Sequence, residues 1–327
     1  MSSGVLIMLA TYNGQSYIRQ QIDSIIAQDY SNWHLIIQDD GSKDDTRSIV
    51  EEYAKKDSRI ELCLNESGKH GAFYNFHSLA NRCKKIQAYE YYMFCDQDDL
   101  WKKDKIRKMI SSISKVRSDI PALGYADMEI IDANNGVTSK SINQQLGLAY
   151  HNKYSVFFSH NVFGCNIIMN RALFMAVPIL DTNQEKIRIL SHDNLYTKFA
   201  AALGQIIYIP EVMMSYRRHG ENVTSKQSYS FDFRRILARI SAFKELVRDH
   251  ALTYNQSLMA IQLLRQCGAE KQMLDEIEHT IVHGGLPAVF FVIKHHISWG
   301  KPIKSISRIT VLLLGTYRQF LIQDVAM

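Results

Sequence analysis

Two hydrophobic periods alternate along the first hundred residues. Residues 5–10 (VLIMLA), 33–38 (WHLIIQ), 59–64 (RIELCL) and 91–95 (YYMFC) are short, mostly apolar runs, the pattern of strands buried on both faces. Helical spacing fills the gaps between them. Residues 15–28 put Ile18, Ile22, Ile25 and Ile26 on one helical face, 44–56 open on Asp44 and Asp45, and a third helical stretch runs from 72 to 85. Acids at the start of the second helix suit the positive end of its dipole. Strands alternating with helices predict right-handed βαβ units and a parallel sheet covered on both faces.

Beyond residue 100 the regularity weakens. Residues 122–132 and 161–170 predict strands of a second, mixed sheet region, with a loop of little period over 138–160. Residues 191–203 (SHDNLYTKFAAAL) predict a helix with Ser191 or Asp193 near its cap, and QIIYIP and VMMSYRR predict two further strands. After Tyr229 the character changes: 231–281 read as helices with polar faces and 286–322 as two more apolar helices. The expected organisation is an α/β domain over 1–228 and a helical region over 229–327.

Composition narrows the class. The chain has 327 residues, 46% hydrophobic and 22% charged, a globular balance able to bury a large core. Its five cysteines (63, 83, 95, 165, 267) are odd in number and lack a CxxC pair. This argues against a disulfide framework or structural zinc and fits a reducing cytosol. Residues 5–10 are too short for a secretory leader and lack its basic lead, and no window is apolar enough to span a bilayer. The net charge of +5 is uneven, because residues 283–327 carry five Lys/Arg against one acid, Asp324. That bias favours an anionic neighbour such as a membrane; a solvated basic face is the plain alternative. Apolar helices there also suit self-association, and no nucleic-acid partner is expected.

In an open parallel sheet, ligands bind beyond the carboxyl ends of the strands. Three such ends carry unusual polar clusters: Thr11-Tyr12-Asn13-Gly14, Asp39-Asp40-Gly41-Ser42 and Asp96-Gln97-Asp98-Asp99. Asp96 and Asp98, one residue apart, are placed to converge on a hard divalent cation; the competing reading is a helix cap by Asp98 or Asp99. Asp39 and Asp40 either make a turn or accept hydrogen bonds from a base or ribose. Asp193 suits a general base or an N-cap, while His192 shapes an acceptor site or packs. Arg217, Arg218 and His219 cluster at a strand end as diphosphate contacts or as a solvated turn. Asn75 follows Gly71 in GKHGAFYNF, and Trp101 stacks on an acceptor sugar or fills the sheet edge. His70 and His77 have no evident partner.

LATYNG, QDDGSKDDT and CDQDDLW, in this order, resemble the nucleotide-sugar domain of family 2 glycosyltransferases, and SHDNLY, AAALGQIIYI and YRRHGENVT extend the likeness over about residues 4–225. The closer resemblance is to bacterial rhamnosyltransferases of surface polysaccharides. It implies a GT-A type, Rossmann-like nucleotide-sugar domain with a mixed central sheet, followed by the C-terminal helical region. It implies a base pocket lined by Ala10, Thr11 and Tyr12, with Asn13 beside them. Asp40 meets the pyrimidine and Asp39 the ribose. Asp96 and Asp98 form the metal and diphosphate pair around Gln97, with Asp99 near the donor sugar. Asn75 lies beside the donor, Asp193 is the base, and His219 completes the metal or diphosphate site. Arg217 or Arg218 meets the diphosphate, and Trp101 and His192 meet the acceptor. The implied activity is inverting, Mn²⁺- or Mg²⁺-dependent transfer of L-rhamnose from dTDP-rhamnose to a lipid-linked bacterial glycan. It would take place at the inner face of the cytoplasmic membrane. Another donor (UDP-galactose, UDP-glucose or a UDP-N-acetylhexosamine) and a non-catalytic glycan-binding scaffold are the alternatives. TYNGQS has one glycine where a dinucleotide fold needs GxGxxG. A nucleotidyltransferase would need a basic Gly-rich loop there.

Overall fold

Every residue of the first strand, β1 (Val5–Thr11), is buried, as the continuous apolar run requires of a strand covered on both faces. Complete burial of each of its aliphatic side chains contributes roughly 1.5–3 kcal/mol. The computed structural model describes residues 4–86, 89–147, 152–159, 162–219 and 236–322, with backbone alone for 236–242. The expected strand start at 161, helix start at 231, motif residues 220–224 and Asp324 lie outside these.

After β1 come α1 (Ile18–Ile26), β2 (Trp33–Asp39), α2 (Thr46–Lys56), β3 (Ile60–Leu64), α3 (Ala72–Cys83), β4 (Tyr91–Cys95), β5 (Leu100–Trp101) and α4 (Lys105–Ile113). Then follow β6 (Ala122–Ile131), β7 (Val137–Ser139), α5 (Ile142–Leu146), β8 (Ile167–Asn170), α6 (Arg171–Ala176), α7 (His192–Leu203) and β9 (Gln205–Arg217). Among the described residues, all nine strands form one sheet in the order β3-β2-β1-β4-β8-β6-β9-β5, with β7 on β6. β1 pairs parallel with β2 and β4, and β2 with β3, whereas β8 is antiparallel to both β4 and β6.

Several expectations are corrected here. The strands after residue 100 extend the first sheet and do not build a second region. The two strands expected over 205–218 are one, β9, whose pairing with β6 shifts register near Asp127. The strand expected over 161–170 is confined to β8, because residues 164–166 make a 3₁₀ turn. Ile26 ends α1 facing outward, since the chain leaves the helix at Ala27. Leu100 and Trp101 pair with β9 as a strand, so the acids before them cap no helix. Residues 138–160 are not featureless: β7, α5 and a 3₁₀ turn at Ser155–Phe157 occupy the described part.

By contact the chain divides into two compact units, one of residues 1–142 and 162–218, the other of 143–161 and 219–327. The second unit holds α8 (Ile236–Gln266), α9 (Lys271–His283), α10 (Gly285–Lys294) and α11 (Pro302–Leu314). Two aromatic side chains there reach backbone carbonyls: Trp299 Nε1 donates to Phe158 O at 2.7 Å and Tyr317 Oη to Ile281 O at 2.6 Å.

The turn from α7 into β9 lies against the start of β6. A Cβ on Gly204 would stand 1.8 Å from the Pro121 carbonyl oxygen, which also accepts the Gln205 N–H at 2.9 Å. Gly204→Ala is therefore expected to destabilise the fold by about 1–3 kcal/mol through overpacking. The check is a lower urea midpoint with an unchanged slope; an unchanged midpoint refutes the close approach.

Candidate active site

Parallel pairing brings the carboxyl ends of β1, β2 and β4 level, with Thr11 opposite Asp39 and Leu9 opposite Cys95. The polar residues beyond them divide into those that tie the ends together and those left open. Gln97 is a tie. Its Oε1 accepts from Thr11 Oγ1 (2.6 Å) and Tyr12 N (2.9 Å), and its Nε2 donates to Tyr12 O (3.1 Å). Asn75 is another: it is buried, its Oδ1 accepts from Gln38 Nε2 and its Nδ2 donates to Gln38 O.

The two acids of the DDGS turn differ in what remains available. Asp39 Oδ1 accepts from Gly41 N, Ser42 N and Arg47 Nε, and Oδ2 accepts from Ser42 Oγ. A carboxylate has about four acceptor positions, so Asp39 is saturated by the turn it shapes around Gly41, at φ +89°. Asp40 accepts from Asn65 Nδ2 (2.6 Å), from His70 Nδ1 (3.0 Å) and from Gly71 N (2.7 Å), leaving one position for a ligand donor. His70, without an evident partner in the sequence, thus belongs with Asp40. Tyr12 is 51% exposed at the mouth of this region.

Past β4 the acids crowd together. Ligand atoms of Asp96, Asp99 and Cys165 lie within 4.8 Å of one another. Burial, then the charges of Asp98 and Asp193, push the Asp96 carboxyl up to about 7. Burial and the charges of Asp98 and Asp96 raise Asp99 as well, although Arg217 N donates to its Oδ1 at 3.0 Å. Asp99 Oδ2 is buried with no hydrogen-bond partner. Lys105 is the cation beneath. It is buried, donates to Cys165 O and Asn166 Oδ1, both at 3.0 Å, and is itself lowered to about 8 by burial. One weakened cation does not balance this many carboxylates. The hard oxygens and the orphaned Oδ2 fit a divalent cation. Burial raises the Cys165 thiol, so it stays protonated and is the weakest member of the set.

Cys165 and Lys105 were not legible as site residues, since neither lies in a motif. His219 falls in the second unit. Arg217 is buried and fully engaged. It donates to Asp98 O (2.7 Å), Asn135 Oδ1 (2.6 Å) and Gln20 Oε1 (2.9 Å), and lies 4.7 Å over the Tyr17 ring. It holds the acid turn; Arg218 beside it is exposed. Trp101 is buried at the sheet edge under Lys105 Nζ, 4.4 Å from its ring. His192 is buried and stacked on Phe76 at 3.9 Å. Both side chains pack where acceptor contacts were expected.

Asp193 lies in the first turn of α7, where Oδ2 accepts from Gly164 N (3.2 Å) and Oδ1 from Asn194 N (2.7 Å). Its charge is one of the causes that raise Asp96.

A family model described as "Glycosyl transferase family 2" matches residues 6–177, more than half of the chain. The chain belongs to this family. Among curated members it is 35% identical over 141 residues to the Escherichia coli UDP-Glc:alpha-D-GlcNAc-diphosphoundecaprenol beta-1,3-glucosyltransferase WfgD. That match covers 43% of this chain and 51% of WfgD, so the chain spans about half the length of that relative. It is 28% identical over 233 residues to the Shigella flexneri dTDP-rhamnosyl transferase RfbG, covering 68% of this chain and 76% of that one. The fold resembles that of S. aureus TarS 1–349, crystallised with UDP-GlcNAc, at a TM-score of 0.55 and 15% identity over 98% of this chain and 93% of that one. The fold is GT-A, as the motifs implied.

The raised acids set a pH dependence. Burial and the neighbouring acids push the Asp96 carboxyl from its ordinary 3.8 up to about 7, so the folded state holds more protons between these values and stability falls as pH rises through them. Without metal, the melting temperature is expected to drop from about pH 4 to about pH 7. Millimolar Mn²⁺ should restore it at the upper end, and Asp99→Asn should flatten both effects. A thermal-melt series reads this; a cation response unaltered in Asp99→Asn counts against the cluster.

Proposed function

We propose that this chain transfers a sugar, with inversion, from a nucleoside-diphosphate donor to a glycan acceptor. The observation that carries the reading is Asp193 in the first turn of α7, buried, with both carboxylate oxygens held by backbone N–H groups, in a chain of this family. Inversion requires a base opposite the leaving group. Asp193 takes the proton of the acceptor hydroxyl as that oxygen attacks the anomeric carbon. Its two backbone hydrogen bonds fix the position of the carboxylate. His77, lowered to about 4 by burial, stays neutral and holds Leu190 O at 2.7 Å, steadying the entry to α7.

The donor lies across the strand ends. Asp40 accepts a base N–H with its remaining lone pair, and exposed Tyr12 covers the base. Asp96, Asp98 and Asp99 hold Mn²⁺ or Mg²⁺, which supplies positive charge to the departing diphosphate when bound. Arg218, exposed where Arg217 is engaged, is the better placed arginine for a phosphate oxygen.

L-Rhamnose from dTDP-rhamnose is the proposed donor, supported by the breadth of the match to RfbG. A UDP-sugar is the second reading, favoured by the higher identity to WfgD over a shorter stretch. WfgD's diphosphoundecaprenol substrate supports a lipid-linked acceptor and work at the inner face of the cytoplasmic membrane. Among the described residues no helix is long and apolar enough to cross a membrane, which suits peripheral attachment.

Asp193→Asn is expected to bind donor nucleotide normally while transfer falls by roughly 10²–10⁴. Asp98→Ala should lose the Mn²⁺-dependent part of nucleotide affinity. Calorimetry reads binding and a donor panel with product detection reads transfer. Near-normal turnover by Asp193→Asn excludes it as the base.

A further inference from the structure

We propose that α10 and α11 form a docking surface that lies in the headgroup layer of an anionic lipid bilayer. The two helices pack against each other within the second unit. Each turns a narrow stripe inward, Ala288 and Val292 from α10 and Val311 and Leu312 from α11. Each also leaves large apolar side chains in water. On α10 these are Leu286 (64% exposed), Phe290 (69%) and Ile293 (60%), at positions i, i+4 and i+7 of one helical face. On α11 they are Ile303 (67%), Ile306 (65%) and Leu314 (60%). Scattered exposed apolar residues are ordinary, but rows at helical spacing on two adjoining helices mark an interaction site.

The charges around these rows select the occupant. Lys294 ends α10, and Lys301, Lys304 and Arg308 follow along the entry and first turns of α11. Lys304 is lowered by partial burial and then by Arg308 and Lys301, so these cations share one field. Arg308 also acts on Asp249 of α8, an acid raised chiefly by its own burial. A second copy related by a two-fold axis would bring like cations together across the same patch. An anionic lipid surface instead accepts both features, with aliphatic and aromatic side chains entering the acyl boundary and lysines meeting headgroups. Neither helix can span a bilayer: α10 has 10 residues and α11 has 13. The surface is independent of the reaction proposed above, and its test uses neither donor nor acceptor.

The full chain is floated with vesicles of phosphatidylcholine alone and with phosphatidylglycerol added. Binding is expected on the anionic vesicles and should weaken with salt. The pair Phe290→Ser and Ile306→Ser should lower partitioning about tenfold or more. Lys301→Gln and Lys304→Gln should each lower it about fivefold on anionic vesicles alone. Because all four positions face solvent or its edge, unchanged melting temperatures confirm intact folding, and the lysine variants give a second reading if the apolar pair melts early. Wild-type protein that fails to float, or variants that float like it, overturns the proposal. So does a wild-type dimer in sedimentation that Phe290→Ser and Ile306→Ser split into monomers, which would make a second copy the occupant.

Discussion

The crowding of carboxyl groups at the end of a buried strand is the constraint around which the first unit is arranged. β4 delivers Asp96, Asp98 and Asp99 into a region too dry to solvate them. The surrounding bonds fix the acid backbone more than they neutralise its side chains. Arg217 spends its guanidinium on the Asp98 carbonyl, Asn135 and Gln20. Lys105 spends its ammonium on Cys165 O and Asn166 Oδ1. The turn is thereby rigid while burial and mutual charge raise Asp96 and Asp99, an arrangement suited to a preorganised cation seat.

The same economy sorts the polar residues at the strand ends. Thr11 and Gln97 bond each other, Asp39 bonds its own turn and Asn75 bonds Gln38. They set the positions of β1, β2 and the acid turn. Tyr12, Asn13 and Arg218 are exposed and available to a ligand, and Asp40 keeps part of its capacity. Residues of one motif therefore divide between scaffold and contact, as Asp39 and Asp40 do.

The second unit follows a different logic. Its interior is made of aromatic and aliphatic side chains whose polar tips reach backbone carbonyls, as in Trp299 and Tyr317. Its last helices leave several large apolar side chains exposed, and residues 283–327 carry five Lys/Arg against one acid in a chain of net charge +5. A surface of this kind is stable in water only because its rows are interrupted by lysine and arginine.

Local pattern was enough for β1 to β4, for α7 and for the three polar strand ends, because period and burial go together in a strand covered on both faces. The motifs also carried the family, since DDGS and DQDD stand at fixed ends of successive strands. Pairing across the sheet was not legible. β8 joins β4 to β6 antiparallel, and a run of four residues holds no mark of its neighbours. Likewise, nothing in the sequence separates Arg217 from Arg218, or Trp101 at an edge from Trp101 at a mouth. Burial decides these, and burial belongs to the packed chain. The sequence alone determined which residue types stand beyond which strands, because covalent order fixes spacing. Tertiary structure alone decided which carboxylates remain open and brought Cys165 and Lys105 beneath them, because those contacts join segments distant along the chain.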